Sequence, residues 1–256
     1  MKLNSRMREQ PFLSHLIELR NRLIKAIVFI LIIFLALATY ANEIYSLLAG
    51  PLLQHLPKNS SMIAIDVASP FFTPFKLVFV LSAFLSIPVL LYHFWAFVTP
   101  GLYKKERRLV FPLLIASNIL FYLGVAFAYF VVFPLMFAFL TTAAPEGVAV
   151  MTDITKYLDF VLGLFFAFGV CFQVPIITIL LIASGVITPG NLAEKRPYVI
   201  VGAFVVGAVL TPPDAISQTL LAVPIWLLFE IGLLCSKFFI APRSEDNFPV
   251  IVEELD

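Results

Sequence analysis

The stretch from Leu23 to Ala41 reads LIKAIVFILIIFLALATYA, with Lys25 as its only charge. A helix needs roughly 20 apolar residues to cross a hydrocarbon core, so this run reads as a membrane span, and Lys25 sits where it can snorkel to the headgroups. Five further apolar runs follow: Leu77 to Val98, Leu109 to about Leu135, Phe160 to Ile187, Tyr198 to Leu210 and Ala215 to Ser236. The fold class is therefore all-α, a polytopic membrane protein with six transmembrane helices. Between them, Lys and Arg fall in alternate connections. The head (Lys2, Arg6, Arg8, Arg20, Arg22, Lys25), the second connection (Lys104, Lys105, Arg107, Arg108), the fourth (Lys195, Arg196) and the tail (Lys237, Arg243) hold 14 of the 17 basic residues. Lys58, Lys76 and Lys156 are the exceptions. Cytoplasmic loops retain Lys and Arg, so both termini and residues 99–108 are expected inside, and residues 42–70 and 140–155 outside.

Composition agrees. Hydrophobic residues make up 61% of the chain and charged residues 13%, against about 45–50% and about 25% in soluble domains. The net charge of +1 gives no argument for nucleic-acid binding. Cys171 and Cys235 lie inside apolar runs and read as small core residues, with neither a disulfide framework nor metal-ligand spacing around them. The first 22 residues are polar and basic, which is unlike a cleaved signal peptide. There is no nucleophile elbow, HExxH or phosphate loop, and His15, His55 and His93 fall on different segments. The chain thus reads as a non-enzyme without metal or cofactor.

Working outward from the first span, Phe12 to Arg20 places Leu13, Leu16, Ile17 and Leu19 at mixed spacings of three and four, the pattern of an amphipathic interfacial helix. The connection of about thirty residues after the span is long enough to be ordered across the outer mouth. Prolines punctuate the later spans at Pro88, Pro112, Pro134, Pro175 and Pro224, and each interior proline removes a backbone hydrogen bond and bends its helix. Bent helices of unequal length imply a concave wall, with the fifth and sixth helices short. The fifth run has thirteen residues, about 20 Å of helix against about 30 Å of hydrocarbon. Its Ala203/Gly207 spacing leaves a small-residue face for close helix contact. Thr211-Pro212-Pro213-Asp214 then reverses the chain, with Asp214 placed to cap the next helix. Neither an internal repeat nor an inverted pair of halves is visible, which disfavours a secondary transporter. Residues 1–240 are one membrane domain, and residues 241–256 an acidic cytoplasmic tail.

Two groups of polar residues are candidates for function. At the inner surface, Glu18 and Glu106 are lone acids in basic surroundings. Either they pair locally, Glu18 with Arg22 at i,i+4, or they are carboxylates for an incoming guanidinium. Phe97 either packs against such a ligand or anchors the interface beside Trp95. Within the membrane, Gln173 lies halfway along the fourth span and Glu230 about six residues from the inner end of the sixth. An intramembrane polar residue must find a partner or water. Gln173 either holds the bundle by an interhelical bond or contacts a ligand, and Glu230 snorkels, pairs with Lys237, or meets a buried polar group.

The assembled stretches resemble the TatC family, the multispanning subunit of the twin-arginine protein translocase. They are FLSHLIELRNRL before the first span, IAIDVASPFFTPFK before the second, GLYKKERRLVFPLL after it, FAYFVVFPL, AFGVCFQVP, and KRPYVIVGAFVVGAVLTPPDAISQTLLAVP from the fifth span into the sixth. The resemblance implies a receptor for folded cargo whose signal peptide carries two adjacent arginines. It implies that acids at the positions of Glu18 and Glu106 recognise that pair, with Arg20, Phe97 and Arg108 in motifs that shape the surface. It further implies TatA and TatB single-span partners docking near the fifth helix, with Thr211, Asp214 and Gln218 among the matching polar positions, and transport driven by the proton-motive force in the bacterial inner membrane; the small-residue face at Gly207 is expected to take the partner helix. Many members carry Glu where this chain has Gln173, so proton transfer there is not essential; hydrogen bonding survives the change. The competing reading is a secondary solute transporter with a midplane site at Gln173 and Glu230.

Overall fold

The computed structural model describes residues 3–55, 62–98, 110–136, 152–210 and 215–239. Among them, four helices are long and apolar enough to cross a bilayer, a bent helix pair makes a fifth span, and a shorter apolar helix adds a sixth. The six expected spans are all present. α1 (Leu3–Leu37) is one continuous helix of 35 residues. The segment expected as a separate interfacial helix is its first half, because nothing between Phe12 and Leu23 is a Gly or Pro that would end it. A 3-10 turn at Ala38–Tyr40 then leads into α2 (Ala41–His55), so much of the long connection is ordered as expected.

α3 (Ser69–Leu85) and α4 (Ile87–Val98) form the second span, bent by 47° at Ser86. Pro88 has no N–H to offer the carbonyl of Phe84, four residues back. The hydroxyl of Tyr122 donates to that carbonyl at 3.0 Å. The buried hydroxyls of Ser82 and Ser86 donate back to Val78 and Ser82 carbonyls, each at 2.7 Å, a pattern that also favours bending. α5 (Val110–Phe127) passes through a π-turn at Ala128–Val132 before continuing to Met136. That turn falls immediately before Pro134, which cannot supply the next regular bond. α6 (Ile154–Cys171) and α7 (Val174–Ala183) make the fourth span, broken just before Pro175. α8 (Pro189–Glu194) and α9 (Arg196–Leu210) precede α10 (Ala215–Phe239). Only α9 is short. α10 has 25 residues, about 37 Å, because Trp226 to Leu234 and Phe238-Phe239 extend its apolar content beyond what a short sixth helix needs.

The core is aromatic and centres on the α5–α6 crossing, where Phe121, Phe133, Tyr157, Phe165, Phe168 and Phe172 cluster with Phe84 of α3. Two glycines allow the approach: a Cβ on Gly124 would lie 2.5 Å from the Phe168 carbonyl oxygen, and one on Gly169 would lie 2.6 Å from the Phe121 ring. Along α1 from Ile17 to Leu37 only Ala26 is buried. Its exposed Leu and Ile side chains suit hydrocarbon, since lipid tails are as apolar as they are.

At the end of the bundle remote from the N-terminus, two short parallel strands, β1 (Met62–Ile63) and β2 (Thr152–Asp153), join the first and third connections. Two-residue strands carry no readable periodicity, so the all-α reading misses them. Asp153 caps α6, accepting from Thr155 and Lys156 N–H at 3.0 and 2.9 Å, and also accepts from Ile65 N–H at 3.1 Å. The N–H groups of Lys156 and Ile65 hold its carboxyl below the usual carboxylate range. Thr73 and Thr155 hydroxyls meet at 3.1 Å, and Lys76 pairs with Asp159 at 2.5 Å, which neutralises one of the lysines outside the charge pattern.

Candidate functional site

Glu18 sits one helical turn ahead of Arg22 on α1, and Arg22 Nε and Nη2 both donate to Glu18 Oε1, at 3.0 and 2.5 Å. The carboxylate side chain remains 45% exposed. A solvated i,i+4 pair of this kind is worth about 0.3–0.5 kcal/mol, so it yields readily to a better partner. Beside it opens a cleft of about 400 Å³ lined by Ile17, Glu18, Asn21, Arg22 and Lys25 of α1 and by His93 of α4. Phe97 is half-buried and lies one turn beyond His93 on α4, a spacing that puts both on one helix face. Arg20 is exposed and reaches Asn21 Oδ1 at 3.5 Å. Glu106 and Arg108 lie outside the described residues.

The intramembrane polar residues separate into two unrelated contacts. Gln173, at the α6–α7 break, donates through Nε2 to the Ser117 carbonyl at 2.8 Å. The Trp95 indole N–H in turn donates to Ser117 Oγ at 3.3 Å, so three spans are tied at one residue. Trp95 is 2% exposed and packs with Leu113, Ile176 and Ile179; it is a core residue, where the sequence suggests an interfacial anchor. Glu230 pairs with Arg196, not with Lys237: Arg196 Nε and Nη2 donate to Glu230 Oε1 and Oε2 at 2.6 and 3.0 Å. Gln173 and Glu230 thus engage different elements, and no shared midplane site brings them together. Sequence reading misses Arg196 as a partner, although its place at the start of α9, facing the end of an antiparallel α10, is the signal that finds it.

The small-residue face of α9 is used within the chain. Ala203 is buried with Ala222 and Ile225 of α10, and a Cβ on Gly207 would stand 3.3 Å from the Gln218 carbonyl oxygen. An incoming helix therefore has no access to Gly207 along that face. The opposite side of α9 presents Tyr198, Val201, Val205 and Val209, all exposed. Thr211 and Asp214 lie outside the described residues, and Gln218 is half-buried at the start of α10.

A model of the family described as Sec-independent protein translocase protein (TatC) matches residues 14–224. The chain belongs to the TatC family. It is 60% identical over 231 residues to the Sec-independent protein translocase protein TatC of Escherichia coli strain K12, covering 90% of each chain. It is 53% identical over 238 residues to the TatC of Haemophilus influenzae, covering 93% of each. The crystal structure titled as that of the twin arginine translocase receptor TatC superposes with a TM-score of 0.77 at 40% identity, covering 88% of this chain and 98% of that one. As a TatC protein the chain is a membrane component of a protein translocase, and the solute-transporter alternative finds no support. The Glu18 cleft lies within the part of the chain that the family model spans.

Proposed function

We propose that this TatC protein is the receptor and core subunit of a translocase for folded proteins, and that it binds the twin-arginine signal peptide at its cytoplasmic face. The observation that carries the proposal is the Glu18 carboxylate at the mouth of an open cleft, held by an exposed pair with Arg22. A guanidinium from a ligand replaces one from the chain itself, and the planar fork of Arg matches a carboxylate better than an ammonium does. Glu106 supplies the second carboxylate, and Arg20, Phe97 and Arg108 shape the surface around the arginine pair. The protein has no catalytic step of its own and acts in the bacterial inner membrane, with both termini and the 99–108 connection in the cytoplasm and the proton-motive force as energy source.

Single-span TatA-type and TatB-type subunits dock on α9 and the start of α10. Since Ala203 and Gly207 face α10, the docking face is the exposed Tyr198, Val201, Val205 and Val209 stripe, with Thr211, Asp214 and Gln218 at its outer end. The test of the receptor reading is site-specific crosslinking from positions 18, 97 and 106 to a twin-arginine precursor. Crosslinks that vanish when the pair is changed to Lys-Lys support it. Equal crosslinking to both precursors, or normal export by a Glu18→Ala, Glu106→Ala double variant at normal protein levels, overturns it.

A further inference from the structure

We infer that His93 is the second acceptor of the guanidinium site built around Glu18, and that it helps the cleft select arginine over lysine. This rests on the receptor reading above. His93 comes from α4, whereas every other described residue lining the cleft comes from α1. The cleft is therefore a junction between two spans, and His93 is what the second span contributes to it.

The chemistry of the lining points to the role. Arg22 and Lys25 offer donors only, Glu18 as a carboxylate offers acceptors only, and the one acceptor oxygen of Asn21 already takes Arg20 Nη2 at 3.5 Å. His93 lines the cleft and its Nδ1 is buried with no hydrogen-bond partner among the described residues, so the inferred role falls to Nε2, the other ring nitrogen. A neutral imidazole carries its proton on either nitrogen, and no partner at Nδ1 fixes the choice. A ligand that can only donate favours the tautomer with its proton on Nδ1 and its lone pair on Nε2, and the buried Nδ1–H left without an acceptor offsets part of that gain. A guanidinium is such a ligand. It has five N–H donors in a rigid planar fork, so it reaches the Glu18 carboxylate with one edge and His93 Nε2 with another, while its face stays available to Phe97 one turn along α4. An ammonium holds its donors around a single atom and cannot span two acceptors set on different helices in the same way. Arg22, which pairs with Glu18 along α1, is displaced in the exchange.

The experiment measures binding of a synthetic Arg-Arg signal peptide, and of its Lys-Lys counterpart, to the full chain in nanodiscs. His93→Leu removes the acceptor and keeps an apolar side chain; His93→Gln returns an acceptor oxygen near the place of Nε2. The expected result is about a tenfold loss of Arg-Arg affinity in His93→Leu, a smaller loss for Lys-Lys, and recovery of most Arg-Arg binding in His93→Gln. Equal losses for both peptides, no loss at all, or failure of His93→Gln to recover binding while its thermal unfolding matches the parent would each overturn the inference. A Glu18→Ala arm separates the two levels. If Glu18→Ala abolishes Arg-Arg binding and His93→Leu does not, only the role of His93 fails; if Glu18→Ala binds the peptide as the parent does, the receptor reading fails with it.

Discussion

The hydroxyl of Tyr122 donates to the carbonyl of Phe84 at 3.0 Å, and Phe84 is the residue whose carbonyl Pro88 cannot use. The proline that bends the second span and the tyrosine of the third that answers it form one device. Tyr122→Phe leaves the ring in place and removes the donor, so it is expected to cost about 1 kcal/mol. The measurement is unfolding in detergent of the single variant, alongside a Pro88→Ala background in which the backbone N–H is restored. In that background the Tyr122→Phe cost should shrink, and an unchanged cost would mean that the hydroxyl serves something else.

Gln173→Leu is expected to destabilise the bundle by about 0.6–1 kcal/mol, the usual range for an interhelical bond in lipid, because the donor to the Ser117 carbonyl is lost. Gln173→Glu keeps that bond only as the neutral acid. Export by Gln173→Glu should therefore persist while its stability becomes dependent on pH, read from unfolding at two or three pH values. A pH-independent Gln173→Glu variant would show that the Ser117 bond does not hold the span.

Gly207→Leu is expected to force α9 from α10 at Gln218, where even a Cβ is tight, at a cost of about 1–3 kcal/mol for overpacking. Val205→Asn, on the exposed side of α9, should leave the hairpin intact and weaken partner association instead. Crosslinking between cysteines at positions 203 and 222 reports the hairpin, and crosslinking from position 205 to a partner helix reports the docking face.

The Asp153 carboxyl titrates below its ordinary value of 3.8, chiefly because the Lys156 and Ile65 N–H groups favour its charged form. A group depressed on folding contributes stability that is present above its unfolded value and lost as pH falls through the folded one. The cap joining residue 65 to α6 should thus be constant above about pH 5 and weaken below the ordinary carboxylate range. Asp153→Asn should be less stable at neutral pH and show less of that acid-side decline in a pH series of unfolding temperatures.

Arg22→Gln removes the i,i+4 ion pair of Glu18. Since the pair is worth about 0.3–0.5 kcal/mol, Arg-Arg peptide affinity should rise by roughly twofold, measured by titration in nanodiscs. A fall in affinity would mean that Arg22 positions the carboxylate and does not merely occupy it.

The spans were legible because hydropathy acts over twenty residues at a time, and the prolines because each changes the backbone at a known place. Side-chain partners were harder. Arg196–Glu230, Ala203–Ala222 and Gly207–Gln218 are each centred in sequence on residues 212–213, so hairpin register does find them once α10 is known to fold back on α9. Without that register, Glu230 had Lys237 as an equally plausible partner, and the glycine face looked open to another chain. Trp95 was misplaced for a different reason: composition near a span end suggests an anchor, whereas its indole N–H had a buried hydroxyl to meet on the next helix. In the candidate site the Glu18–Arg22 pair was legible from its i,i+4 spacing, but the contribution of α4 to the cleft depends on the angle at which that span crosses α1.

The bend at Ser86 gives the second span two mechanical attachments. Its α3 portion is fastened to the remote cap through Thr73–Thr155 and Lys76–Asp159, and its α4 portion carries His93 into the Glu18 cleft. A straight rod would carry a tilt at one membrane face directly to the other. Here the helix is jointed at Ser86, so its two portions are fastened at different places. The links at mid-depth run sideways, from Trp95 through Ser117 to Gln173, so α4 is tied to the neighbouring spans on the cleft side of the bend and to the cap only beyond it.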